Sequence, residues 1–190
     1  SAEWAFYQKL LEQEEQLQTS SMGRFLDGIA SILGICTHSS YEGEAAMKLE
    51  ALARGSHHRS SFNYPMPVIS DCIDTGLFME ELMADVLHGY NRSWIASKVF
   101  ISLTNMIEEI SERYNAKHLA FSGGVFQNAL LVDMITRELG QRKSLYFHKQ
   151  LSPNDECISF GQIAVHHLSK ADTRTALNPS YVFSNSRKDH

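Results

Sequence analysis

Long apolar runs are missing from this sequence. No stretch approaches the roughly 20 consecutive apolar residues that a membrane-spanning helix needs. Residues 4–18 are polar and acidic, unlike the apolar centre of a secretory leader. A basic surplus is missing too. Seventeen Lys and Arg stand against 22 Asp and Glu, a formal net charge of -5, so nothing is available to neutralise a phosphate backbone and nucleic-acid binding is not expected. Cysteine is scarce: Cys36, Cys72 and Cys157 lie far apart with no C-x-x-C. That pattern excludes a disulfide framework and reads as reduced, buried thiols of a cytoplasmic protein. Internal repeats and low-complexity tracts are absent. His57-His58 sits in a polar loop with no third ligand at metal-site spacing.

Hydrophobic residues make up 43% of the 190-residue chain and charged residues 21%, enough apolar surface for one packed domain or one lobe of a larger enzyme. Helical periodicity dominates the first part. It predicts a surface helix over 5–18 and a second over 22–33, with Phe25, Ile29, Ile32 and Leu33 inward, Thr19-Ser20-Ser21 supplying the N-cap and Gly34 a left-handed C-cap. A third helix opens at Tyr41-Glu42-Gly43-Glu44-Ala45-Ala46 and runs to about Arg54. Its acids complement the helix dipole with no ligand invoked. Tyr64-Pro65-Met66-Pro67-Val68-Ile69 reads as extended, because residues before proline avoid the helical region. Helices over 74–90, with Phe78, Leu82 and Val86 inward, and 94–114, carrying Ile95, Val99, Leu103, Met106, Ile107 and Ile110, complete this part. Asn91-Arg92-Ser93 separates them, with Ser93 as the expected cap.

From His118 the pattern changes. Leu119-Ala120-Phe121 is a short apolar strand of the kind found in a sheet covered on both faces. Ser122-Gly123-Gly124 is a tight turn, 128–139 a helix stopped by Gly140, and Leu145-Tyr146-Phe147-His148 a second strand. Ser152-Pro153-Asn154-Asp155 is a turn, and 158–168 a last helix. Strand, helix, strand, helix at this spacing implies parallel pairing and an α/β lobe. Three segments follow: a mainly helical part over 1–116, a βαβα part over 117–170, and a loosely attached tail over 171–190 in which Tyr181-Val182-Phe183 is the piece able to dock. A strand that ends in Gly-Gly and feeds a helix is a phosphate-binding layout. It is more often simply the layout of an ordinary βα turn. By spacing alone Asp27 is a solvated helix carboxylate and Asp155 a turn former.

SGGVFQN followed by PND-x-x-IS-x-GQ resembles the last lobe of the hydrogenase-maturation carbamoyltransferases, the HypF family, over nearly all of residues 15–170. The resemblance implies the C-terminal lobe of an actin-like (ribonuclease-H-like) ATPase fold, with a helical first part and a small parallel or mixed sheet. It implies ATP as cofactor and a divalent metal (magnesium, iron or zinc). In that scheme Ser122, Gly123, Gly124 and Asn128 bind the nucleotide, and Asp27 accepts from the ribose hydroxyls, a task for which two carboxylate lone-pair sets suit a vicinal diol. Gly43 gives the backbone close approach, and Asp155 ligates the metal. No catalytic nucleophile lies in this lobe. The implied partners are the preceding lobe and upstream domains of the same chain, carbamoyl phosphate, and a HypE-type acceptor whose C-terminal cysteine receives the carbamoyl group. The isolated lobe is expected to lack transferase activity, since the H-x-x-x-H ligands of the family's other lobe are absent from its nine histidines. One departure stands out: the family's IA-x-x-FH register here reads Ile95-Ala96-Ser97-Lys98-Val99-Phe100, so Phe100 replaces the family histidine. Two other readings fit part of the pattern: a lobe of a tRNA threonylcarbamoyl transferase, and a non-catalytic nucleotide-binding or docking lobe.

Overall fold

A computed structural model describes residues 2–12, 19–56, 63–170 and 183–185 of the chain. His57-His58, residues 13–18 of the first expected helix and most of the tail lie outside the described residues. The helical part comprises α1 (Ala2–Leu11), α2 (Met22–Ile32), α3 (Glu44–Arg54), α4 (Gly76–Leu87) and α5 (Arg92–Arg113). A short hairpin, β1 (Val68–Ile69) and β2 (Cys72–Ile73), precedes α4. The second part runs β3 (His118–Phe121), α6 (Ala129–Leu139), β4 (Ser144–His148) and α7 (Ile158–Lys170), and β5 (Phe183–Asn185) adds the last strand. Among the described residues no helix is long and apolar enough to cross a membrane.

Local chemistry accounts for the boundaries. Ser21 Oγ accepts from the Arg24 amide at 3.4 Å at the head of α2, and Gly34 beyond its end adopts φ +64°. The cap of α5 is Asn91 rather than Ser93: Asn91 Oδ1 accepts from both the Ser93 amide, 2.8 Å, and the Ser93 hydroxyl, 2.7 Å. The hairpin turns on Ser70 and Asp71, both at positive φ (49° and 63°), the geometry that matches strand twist. Tyr114 donates to Asp71 Oδ1 at 3.0 Å, and Arg113 to the Val68 carbonyl at 2.9 Å, which offsets the strain.

Helix α5 is the axis of the core, with α3, α4 and α6 packed around it and α2 against α3. Ile95, Ala96, Val99, Phe100 and Leu103 are all at most 1% exposed. Burial on several sides is why Phe100, off the predicted stripe, is as deep as Ile95. Phe100, which the resemblance sets against a histidine, is therefore a packing residue here. On α2 the deepest side chains are Leu26, Ile29, Ala30 and Leu33, with Phe25 and Ile32 at the flanks. The buried arc is centred one position from the predicted stripe, because α2 packs both on α3 and on the turn after β3. The extended residues before β1 are pinned through a buried network. Tyr64 OH donates to Asp85 Oδ2 at 2.7 Å, Lys98 Nζ reaches the same oxygen at 3.1 Å and lies 3.9 Å over the Tyr64 ring. Burial and Asp85 push the Tyr64 phenol far up, so it remains a donor.

The sheet has the order β3-β4-β5. β3 and β4 are parallel, as the spacing predicts, with Phe121 opposite Phe147. β5 is antiparallel to β4, pairing Phe147 with Ser184, so the sheet is mixed and the tail docks through Phe183–Asn185. Phe121 and Leu145 are buried, whereas His118 and Ala120 are exposed. Among the described residues the sheet is thus covered on one face only. Three consecutive apolar residues do not reveal this, since Ala120 is small enough to tolerate either side.

Candidate functional site

The strand β3 delivers Ser122-Gly123-Gly124 at its carboxyl end. Gly123 has φ +116° and ψ 151°, a conformation that side chains rarely adopt, and a Cβ there would meet nothing within 4 Å. The expected direct passage from turn to helix is replaced by a 3-10 turn, Gly124–Gln127, before α6 begins. Asn128 ends that turn and caps α6: its Oδ1 accepts from the Leu131 amide at 2.9 Å, and the residue is only 7% exposed. Its side-chain oxygen is committed to the fold, which leaves its amide N–H groups for a ligand.

The second signature loop lies directly against the first. The Gly123 amide donates to the Pro153 carbonyl at 2.6 Å. His148 Nε2 is 3.0 Å from Ser122 Oγ, and Gln127 Nε2 donates to Ser152 Oγ at 3.1 Å. A Cβ on Gly124 would sit 3.8 Å from Asn154 Cβ. Asn154 in turn caps the 3-10 turn Asp155–Cys157 by accepting from the Glu156 amide at 3.2 Å. Two segments some thirty positions apart in sequence are therefore stitched into one ledge. Asp155 stands exposed at its edge, its carboxylate in no hydrogen bond or ion pair among the described residues.

One helix flanks the ledge, and a second packs behind it. α2, which carries half-buried Asp27, packs against the Gly124–Gln127 turn. The Asp27 carboxylate makes no hydrogen bond or ion pair among the described residues, and a Cβ on the neighbouring Gly28 would meet nothing within 4 Å. Gly43 is exposed at the head of α3 with φ +82° and open space over its Cα. Beside it the Glu44 carboxylate accepts from the Ser40 amide at 2.5 Å and pairs with Lys48 Nζ at 2.6 Å. Lys48, then the Ser40 amide, hold the Glu44 carboxyl down at about 2. Farther along α3, Glu50 Oε1 accepts from the Leu130 amide at 3.0 Å, tying this helix to the start of α6.

His148, Gln127, Ser152 and Glu50 are structural supports of the site that the motif reading passes over. His148 was legible in principle: parallel pairing of Phe121 with Phe147 places Ser122 opposite His148. Glu50 was not, since its partner amide is 80 positions away.

The ledge suits an anion approached by the backbone at Gly124, the Gly123 amide being engaged by Pro153, and the unengaged Asp27 carboxylate suits a diol. For a metal, Asp155 is a fitting hard oxygen ligand but a single one. Among the described residues no group of three His, Cys, Asp or Glu is arranged to hold an ion. Asp155 could therefore complete a metal site built elsewhere but not form one alone.

A family model described as "Carbamoyltransferase, Kae1-like Domain, second subdomain" matches residues 1–162. The carbamoyltransferase HypF of Synechocystis is 32% identical over 150 residues, covering 76% of this chain and 19% of that protein. The probable carbamoyltransferase HypF of Methanocaldococcus jannaschii is 27% identical over 149 residues, again 76% of this chain and 19% of its own length. A crystal structure of full-length HypF in the phosphate- and nucleotide-bound form superposes with a TM-score of 0.78 at 25% identity, over 92% of this chain and 29% of that one. HypF of T. kodakarensis superposes with a TM-score of 0.73 at 25% identity, over 87% of this chain and 22% of that one. The chain spans about a fifth of the length of the curated relatives that it matches.

Proposed function

The chain belongs to the HypF-type carbamoyltransferase family as the second subdomain of the Kae1-like domain, and from that premise we propose that it forms the nucleotide-binding half of a carbamoyl-transfer site. The observation that carries this reading is the joining of the Gly123-Gly124 turn to the Pro153–Asp155 loop through the 2.6 Å bond from Gly123 to Pro153. That joint puts the anion-compatible backbone and the unengaged carboxylate of Asp155 on one edge. A solved relative in phosphate- and nucleotide-bound form supports it.

In this reading the ATP phosphates lie along Ser122, Gly123 and Gly124. Ser122 donates its hydroxyl proton to a phosphate oxygen while His148 fixes the hydroxyl. Asn128 offers its amide, Asp27 accepts from the ribose hydroxyls, and Gly43 lets the nucleotide lie close to the backbone. A divalent metal, when bound, supplies charge neutralisation for the phosphates, with Asp155 as one ligand and the others from the preceding lobe. The parent enzyme uses carbamoyl phosphate and ATP to make carbamoyl adenylate, phosphate leaving the carbamoyl phosphate to water and pyrophosphate leaving ATP. It then passes the carbamoyl group to the C-terminal cysteine thiolate of a HypE-type acceptor. This lobe provides no nucleophile; its backbone dipoles stabilise charge on oxygen.

The test is transfer itself. The 190-residue chain alone, and the chain joined to its preceding lobe and upstream domains, are given carbamoyl phosphate, ATP and acceptor, and acceptor mass is followed. Carbamoylation by the longer chain only is the expected result. Turnover by the 190-residue chain, or a longer chain that never modifies the thiol, contradicts the proposal.

A further inference from the structure

Strand β4 has five residues, and its two neighbours hold different parts of it. The parallel ladder with β3 runs from His118 opposite Ser144 to Phe121 opposite Phe147 and stops there. The antiparallel ladder with β5 pairs Tyr146 with Asn185, Phe147 with Ser184 and His148 with Phe183. His148 therefore lies one residue past the end of the β3 ladder, and among the described residues its strand partner is Phe183. Its side chain reaches the phosphate turn, with Nε2 3.0 Å from Ser122 Oγ. β5 lies beyond residue 162, where the match to the family model ends, so it is a supplement to the matched subdomain.

The last residue of a strand frays unless a neighbour pairs with it, and a three-residue edge strand sits at the low end of local stability. We propose that β5 is a strap on the site: docked on β4, it keeps His148 in position to orient Ser122, so nucleotide affinity rises when the tail is docked and bound nucleotide steadies the docked tail. The inference rests on the reading of Ser122, Gly123 and Gly124 as the phosphate turn. His148 is a positioning residue in this scheme, and β5 positions it. The coupling is reciprocal: whatever factor docking adds to nucleotide affinity, nucleotide adds to docking. Protection of a sheet edge is the other task a short outer strand performs. Cover for its own sake would favour the whole of β4. The register instead omits Ser144 and Leu145 and includes the residue that touches Ser122.

The 190-residue chain is compared with its Ser184→Pro and Ser184→Ala variants and with the chain ending at Lys170. Proline at the centre of β5 removes either a ladder N–H or the extended φ that pairing needs, whereas alanine keeps both. Binding is read by the anisotropy of a fluorescent ATP analogue, and the His148 ring by NMR of histidine labelled with nitrogen-15. Ser184→Pro and the shortened chain are expected to bind about two- to tenfold more weakly, as His148→Ala does, and to add no loss in a His148→Ala background. Ser184→Ala is expected to bind like wild type. The His148 ring resonances should shift in the proline variant before any nucleotide is added, and hydrogen exchange of the β5 amides should slow when the analogue binds wild type. Equal affinity of Ser184→Pro and wild type overturns the proposal, as does exchange in β5 that ignores the analogue. A loss of the same size in the His148→Ala background marks general destabilisation and also overturns it. So does a shortened chain that dimerises by light scattering yet binds like wild type, which assigns β5 to edge protection. If no chain binds nucleotide, the reading of the site falls, and the His148 resonances still decide the strap: a shift in Ser184→Pro keeps it and unchanged resonances overturn it.

Discussion

Gly123 and Gly124 are adjacent and chemically identical, yet their alanine variants should fail in different ways. Gly123 occupies φ +116°, ψ 151° and donates to Pro153 at 2.6 Å. A side chain there must either accept the strain, about 1–3 kcal/mol, or rotate the turn and give up the bond that joins the two loops. For a chain of this size each kcal/mol lowers the melting temperature by roughly 2–4 °C, so Gly123→Ala should melt roughly 2–12 °C below wild type. Gly124 is not among the residues at positive φ, and its nearest neighbour for a Cβ is Asn154 Cβ at 3.8 Å, an ordinary contact. Gly124→Ala should keep its stability to within about 0.5 kcal/mol. Gly124 is exposed, however, and a methyl group there adds bulk to the backbone that a phosphate would approach; a loss of about 1.4 kcal/mol corresponds to tenfold weaker nucleotide binding. Circular-dichroism melts and the anisotropy of a fluorescent ATP analogue measure the two properties separately. A Gly123→Ala protein that melts like wild type refutes the strained turn. A Gly124→Ala protein that binds the analogue like wild type refutes the phosphate role.

Three further outcomes follow from particular residues. Phe100→His puts an imidazole at a fully buried position; with no partner prepared, it should cost about 1–3 kcal/mol in chemical denaturation and leave nucleotide affinity unchanged, and an equally stable variant contradicts the packing role. Glu44 has its carboxyl lowered from 4.5 to about 2, so its contribution is present above the higher value and is lost as pH falls through that window; wild type should lose stability between these values more steeply than Glu44→Gln, and parallel pH profiles of the two would count against the Lys48 and Ser40 contacts. His148 is placed to hold Ser122 Oγ at 3.0 Å; His148→Ala should weaken nucleotide binding about two- to tenfold, His148→Gln should retain it, and in a Ser122→Ala background His148→Ala should add nothing.

Most of the fold could be read from the chain because its signals are local. Ser21 and Gly34 bracket α2, and the change of period at His118 marks the sheet. What escaped depends on neighbours distant in sequence. The depth of Phe100 comes from burial of α5 on several sides, and the exposure of Ala120 from a sheet face that no helix covers among the described residues. At the site, the motif glycines and Asp155 were visible as residue types. The bonds that give them geometry, Gly123 to Pro153 and Glu50 to the Leu130 amide, join positions 30 and 80 apart. Asn128 shows the limit of motif reading: it lies inside the signature, but its oxygen serves the cap of α6.

The central claim is that this lobe holds a nucleotide with Asp27 on the ribose. Calorimetric titration of ATP and of 2′,3′-dideoxy-ATP, each with magnesium, into wild type and Asp27→Ala tests it most directly. The account predicts that wild type binds ATP, that loss of the carboxylate and loss of the hydroxyls weaken binding to a similar degree, and that the two losses together cost no more than either. Absence of ATP binding, or Asp27→Ala binding ATP as tightly as wild type, would contradict it.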